Sequence, residues 1–193
     1  MSDRELQKYL FDLQGYLVVE NILTADEVSQ LNCLIDQQKL LEPSQQSRFG
    51  AAAGAAPAAA GFLDWGKPFC NLLDHQAIMP ILQFRLGDCF RLDRIYGIQM
   101  SNGMKRFHLH ADYGATSPTS NSKPGEYYYF GVNEIHSGFV VASWNLSDTG
   151  PVHGGFCCIP GSHKSNYRLP RPILTQHEKA DCVVIPAAPA GCT

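Results

Sequence analysis

Apolar residues follow two rhythms along this chain, helical near the N-terminus and alternating through most of the second half. Val28, Leu31, Leu34 and Ile35 fall on one stripe at three- and four-residue spacing, which predicts a helix laid against a core. Thr24 with Glu27 opens that helix as a capping box, in which side chain and backbone satisfy each other's donors. Ser2 with Glu5 reads the same way and predicts a short helix over Asp3 to Leu13. Between the two, "GYLVVENIL" from Gly15 is a strand or extended segment. Another helix is expected over His75 to Phe84, interrupted or kinked at Pro80, whose ring removes a backbone donor.

The second half reads as strands. "CFRLDRIYGIQM" predicts one from Cys89 to Met100, "GEYYYFGVN" another and "GFVVASWNLSD" a third, followed by "GGFCCIPGSH" and "DCVVIPA". Short strands separated by Gly, Pro and Asn turns, without strand–helix alternation, argue for a sandwich or small barrel rather than a doubly wound sheet. The expected architecture is mostly β with N-terminal helices, in a single domain over residues 1–193. The exception is "EPSQQSRFGAAAGAAPAAAGFLDWG", where alanines favour helix but Gly50, Gly54, Pro57 and Gly61 break every candidate turn. It predicts a flexible Ala/Gly-rich insertion at about 43–61, with Phe49 touching the body only loosely. A functional lid is the rival for this loop.

Composition narrows the classes. A chain of 193 residues, 45% hydrophobic and 17% charged with net charge -3, suits one globular domain and lacks the basic field of a nucleic-acid binder. No apolar run reaches the roughly 18 residues of a membrane span, and "MSDRELQKYLF" lacks the basic and apolar regions of a secretory signal, so an intracellular, cytoplasmic location is expected. The seven cysteines are odd in number and contain no CxxC pair, which reads as reduced and mostly buried thiols. Cys157 and Cys158 would face opposite sides of a strand and could not easily share a zinc ion.

The chemistry concentrates in "RFHLHADYG". On a strand, His110 and Asp112 point to the same side with Ala111 facing away, so an imidazole nitrogen and a carboxylate oxygen can reach one ion. These are two parts of the 2-His-1-carboxylate facial triad that holds ferrous iron with open positions. A satisfied polar pair is the commoner meaning of such a triplet, and His108 shares the face as an alternative ligand or a packing residue. Among other histidines, His75, His136, His153 and His177 read as surface, capping or turn residues, while His163 is the best internal alternative for a third ligand. Gln99, with Asp93 and Arg91, lines the barrel or forms an outer solvated face; Trp144 and Tyr127 to Tyr129 supply aromatic wall, and Lys164 meets an acidic substrate or, as the favoured reading, solvates its loop. A hydrolase lacks support, since there is no GxSxG elbow and no cysteine beside a defined histidine base.

Together these segments resemble the phytanoyl-CoA dioxygenase family. The matching stretches are Gly15 to Val28, His110 and Asp112, Trp144 to Asp148, Gly154 with Gly155, and Ile159 to Lys164 in "IPGSHK". The resemblance implies a double-stranded β-helix (jelly-roll, cupin-like) core, Fe(II) held by His110 and Asp112, and 2-oxoglutarate as co-substrate. Gln99 and Trp144 are the candidate cofactor-binding residues. The implied activity is hydroxylation of a small or lipid-like substrate, with no nucleic-acid partner. By the same resemblance His163 is not the third ligand but lies in a turn near the mouth of the site. The family pattern continues past "CVVIPAAPAGCT" to a distal histidine and an arginine, whereas no histidine follows His177 here. The expectation is therefore a core incomplete at its C-terminus, a 193-residue chain that does not turn over 2-oxoglutarate, and an active full-length parent. A non-catalytic β-barrel binding module or an inactive truncated product is the alternative.

Overall fold

The structure, a computed structural model, describes residues 3–44, 47–52, 61–100, 104, 108–111, 127–175 and 181–193. Helix α1 spans Asp3–Gln14 and helix α2 spans Ala25–Asp36. The capping box at α2 is as expected: the Glu27 backbone N–H donates to the Thr24 hydroxyl at 3.3 Å, and the Thr24 N–H donates to the Glu27 carboxylate at 2.8 Å. The predicted stripe points inward, with Val28 and Leu31 buried and Leu34 and Ile35 packed against the same cluster. Ser2 lies outside the described residues.

The core grows from this helix into an aromatic cluster of Phe49, Phe62, Trp65 and Phe69. Phe62 meets the Phe69 ring at 4.6 Å and the Trp65 ring at 4.9 Å, the second edge-to-face, an arrangement in which ring edges meet negative faces. Strand β1 (Arg48–Ala52) carries Phe49 into it and pairs antiparallel with β2 (Ile95–Ile98) in the register Arg48↔Ile98 and Phe49↔Gly97. Phe49 is thus a core residue, contrary to its expected loose contact. Its ring occupies the space a side chain at residue 97 would need, so the missing Cβ of Gly97 opens the seat. Most of the Ala/Gly-rich segment beyond β1, residues 53–60, lies outside the described residues.

Two short helices follow, α3 (Lys67–Cys70) and α4 (Met79–Leu86). Pro80 falls in the first turn of α4, where its absent N–H would have no helical partner, so it starts the helix instead of kinking it. The second half is less regular than its alternation predicts. Of the strand expected over Cys89 to Met100 only β2 forms, and "GFVVASWNLSD" forms no ladder strand. Where one strand is expected over "GEYYYFGVN", a short hairpin forms instead: β3 (Tyr129–Gly131) pairs with β4 (Glu134–His136) around Val132 and Asn133. Both central residues have positive φ, 44° and 64°, as a primed two-residue turn requires.

What replaces long strands is backbone pairing between distant extended segments. Val19 and Thr193 exchange both their N–H···O bonds, at 2.8 and 3.1 Å. Asn145 donates to Cys192, Gly191 donates to Asn145, and Thr149 and Ala188 exchange another pair, so residues 188–193 lie between 19–23 and 145–149. Cys158 and Val184 exchange a third pair. Among the described residues these are two two-stranded sheets and isolated bridges, not a closed barrel. The cysteines are less buried than expected: Cys192 is buried, Cys70, Cys157 and Cys158 are intermediate, and the remaining three are exposed. No described helix is long and apolar enough to cross a membrane.

Candidate functional site

His110 sits on an exposed stretch without ladder pairing, so strand alternation does not position it. Its geometry comes from its own backbone: Nδ1 lies 3.1 Å from the His108 carbonyl oxygen. A carbonyl can only accept, so this contact calls for the Nδ1–H tautomer, in which Nε2 would be the nitrogen that ligates a metal. The His108 ring stands 5.8 Å from that of His110. Asp112, the other expected ligand, and His177 lie outside the described residues. No group of three His, Cys, Asp or Glu among the described residues is placed to hold a metal ion.

The two expected cofactor contacts are engaged locally. Gln99 follows β2; its backbone N–H donates to Ser47 at 2.9 Å and its side-chain amide to the Leu41 carbonyl at 2.8 Å, which ties the end of β2 to the chain leading into β1. Asp93 is paired with its neighbour Arg94 at 2.8 Å. Trp144 packs against the α2 and aromatic core, with its ring 5.3 Å from that of His75. His75 accepts the Ala77 N–H at Nδ1, which closes the turn ahead of α4 and does not cap the helix.

The more constrained polar cluster is one that sequence reasoning did not assemble. The 3₁₀ turn Ser162–Lys164 docks "PGSHK" onto the C-terminal end of α1. Gly161 N–H donates to the Gln14 carbonyl at 2.7 Å, His163 Nε2 donates to the Asp12 carbonyl at 3.0 Å, and Lys164 Nζ reaches the Asp12 carboxylate at 2.7 Å. The Tyr128 hydroxyl donates to the same carboxylate at 3.4 Å, and its ring meets His163 edge-on at 4.9 Å. Arg85 of α4 lies 3.7 Å from Asp12 with its side chain 5% exposed, its guanidinium 4.7 Å from the Phe11 ring centroid. Lys164 is therefore an anchor, not the loop-solvating residue expected. Asp12 and Arg85 carried no motif or spacing signal that would have singled them out, and Tyr128 read only as aromatic wall.

His163 is in the expected turn, with Nε2 committed to the Asp12 carbonyl and Nδ1 enclosed. With the proton on Nε2, Nδ1 is left buried without a hydrogen-bond partner and faced by Gly15. A Cβ at residue 15 would overlap this nitrogen, and Gly15 also has φ of 81°, so both space and backbone demand glycine there. Burial pushes the His163 pKa below its ordinary value; the Lys164 and Arg85 charges add to this, against the Asp12 carbonyl and carboxylate. For Asp12, burial alone would raise the pKa, but the Lys164 hydrogen bond and the Lys164 and Arg85 charges outweigh it and hold the carboxyl below its usual value. An imidazole bound in this way is an internal strut, not an available third ligand. His136 in β4 stacks on Tyr129 at 4.3 Å and lies 3.2 Å from Glu134, while His153 is exposed in its turn as expected. Burial, with the neighbouring Cys157, pushes the Cys158 thiol up to about 11, so it is not a nucleophile at neutral pH.

The family described as phytanoyl-CoA dioxygenase (PhyH) matches residues 11–183. Among solved structures, the chain is similar to HygX from Streptomyces hygroscopicus with nickel, 2-oxoglutarate and hygromycin B bound. The TM-score is 0.64 at 16% identity, covering 100% of this chain and 76% of that chain. The apo form of HygX gives the same TM-score, identity and coverage. This is a likeness of fold. No curated protein matches the chain.

Proposed function

The chain belongs to the phytanoyl-CoA dioxygenase family, and from that premise we propose that it serves as an Fe(II)- and 2-oxoglutarate-dependent dioxygenase domain acting on a small or lipid-like molecule. The observation that carries this reading is the His110 imidazole, whose Nδ1 is set on the His108 carbonyl so that Nε2 presents its lone pair. Asp112, two residues on, is proposed as the carboxylate ligand and His110 as the first imidazole ligand. Fe(II) with 2-oxoglutarate bound there would supply activation of dioxygen for oxidation of a C–H bond. The chain's own contribution is placement. His108 fixes the tautomer and ring direction of His110 through its carbonyl. The Asp12–His163–Lys164 cluster holds the "PGSHK" turn against α1, and we propose that this fixes the rim of the site. HygX, with 2-oxoglutarate and hygromycin B bound, supports a small-molecule substrate. Gln99 and Trp144 are proposed to act indirectly, by fixing the end of β2 and the body beneath the site.

The test is anaerobic addition of Fe(II) and 2-oxoglutarate, read by the visible charge-transfer band of 2-oxoglutarate chelated to ferrous iron. The wild-type chain should give the band, and His110→Ala and Asp112→Ala should each weaken metal binding by about tenfold or more. His136→Asn, a hairpin control, should leave it intact. A band that survives His110→Ala, or never forms although the metal binds, would overturn the assignment.

A further inference from the structure

Helix α1 and helix α4 leave a hollow of about 190 Å³ between them that the proposed iron site does not use. Its floor is apolar: Phe11 and Val19 from the N-terminal segment, Ile81 and Phe84 from α4. Its rim is cationic, with Arg4 and Lys8 one turn apart on the same face of α1, and no acidic side chain among the described residues lines it. Lys8 Nζ sits 4.4 Å from the centre of the Phe84 ring, so one cation hangs directly over the aromatic floor. None of the described residues within 89–112 or 138–164, the stretches of the proposed iron site and its rim, lines it.

Size and charge select the ligand. An apolar cavity of about 150 Å³ accommodates a benzene ring, so this hollow suits a ring or a short chain and not a long acyl tail. Two cations beside apolar walls favour one carboxylate, through charge-assisted hydrogen bonds, with the hydrophobic body below. We propose that this hollow is a binding site for a small amphipathic carboxylate, its apolar part against Phe11, Ile81 and Phe84 and its anion between Arg4 and Lys8. 2-Oxoglutarate, with two carboxylates and little apolar surface, is a poor occupant.

The experiment is a backbone amide NMR titration of the 193-residue chain with 3-phenylpropanoate, the uncharged 3-phenylpropanamide and acetate. Saturable shifts in α1 and α4 are expected with 3-phenylpropanoate, with the amide and acetate at least about tenfold weaker. Arg4→Gln with Lys8→Gln, both at exposed positions, should weaken binding by about tenfold with the rest of the spectrum unchanged. Ile81→Trp should block it by filling the floor. The proposal is overturned by absence of saturable binding, equal affinity for the amide, or undiminished affinity in the double variant. Adding 2-oxoglutarate and Fe(II) should neither compete with nor require this binding, so its outcome is independent of the iron site.

Discussion

The aromatic body around α2 and the hairpin β3–β4 solve the same problem in opposite ways. Around α2 the chain buries side chains: Leu31 is 1% exposed and Phe69 2%. In the hairpin the apolar side chains stand in solvent, with Phe130 66%, Ile135 51% and Val132 97% exposed, and the backbone register with the Tyr129–His136 stack defines the element. Segments 19–23, 145–149 and 188–193 resemble the hairpin in being held by main-chain bonds, but they carry Ala188 and Cys192 into the interior. The lesson is that local order here does not measure burial.

The sharpest way to break the comparison is to delete equivalent atoms in the two regions. Leu31→Ala removes a fully buried side chain and should destabilise the fold by about 2–5 kcal/mol in urea unfolding. Val132→Ala should stay within about 0.5 kcal/mol. Equal losses would mean that the hairpin is buried in solution.

The α1 latch belongs to neither class, because its side chains join by polar contacts that depend on one missing Cβ. Gly15→Ala should cost on the order of 1–3 kcal/mol, part from the positive φ and part from collision with His163. In a His163→Ala background the collision disappears and the same change should cost measurably less. A thermodynamic double-mutant cycle reads the difference; strict additivity would show that residues 15 and 163 do not touch.

The smallest expected effect is in pH. The folded His163 has a pKa below its ordinary 6.5, so as the pH falls the unfolded chain takes up this proton first. Stability should decline once the pH drops below about 6.5 and level off below the depressed folded value. Asp12 acts lower: its contribution is present above the ordinary 3.8 and lost as pH falls through its lower folded value. His163→Gln should flatten the first limb of the stability profile and leave the acid limb in place.

Much of the helical half could be read from residues because its determinants are neighbours. The Thr24–Glu27 box and the Val28–Leu31 stripe are complete within one short segment. Phe49 was misread because its burial is decided by Gly97 and by rings at residues 62 and 65, none visible in the aperiodic sequence around it. The long strand over Cys89 to Met100 failed for a related reason: alternation permits a strand, but ladder bonds need a partner, and β1 supplies one only over Ile95–Ile98. At the candidate site, spacing singled out His110, yet its Nδ1 lies against a backbone carbonyl that no side-chain pattern records. The latch was invisible because Asp12, Arg85 and Tyr128 are ordinary residues until the fold brings them to His163 and Lys164.

That latch also bears on the order in which contacts can form. Asp12 meets His163 across 151 positions and Asn32 meets Leu146 across 114, whereas Thr149 meets Ala188 across only 39. Loop-closure entropy makes the longest of these about 1 kcal/mol harder to close than the shortest in an otherwise flexible chain. Once one long closure exists, the other spans a much shorter effective loop. The two ends of the molecule therefore assist each other's entropy of association, a cooperativity that arises from connectivity and not from any added contact.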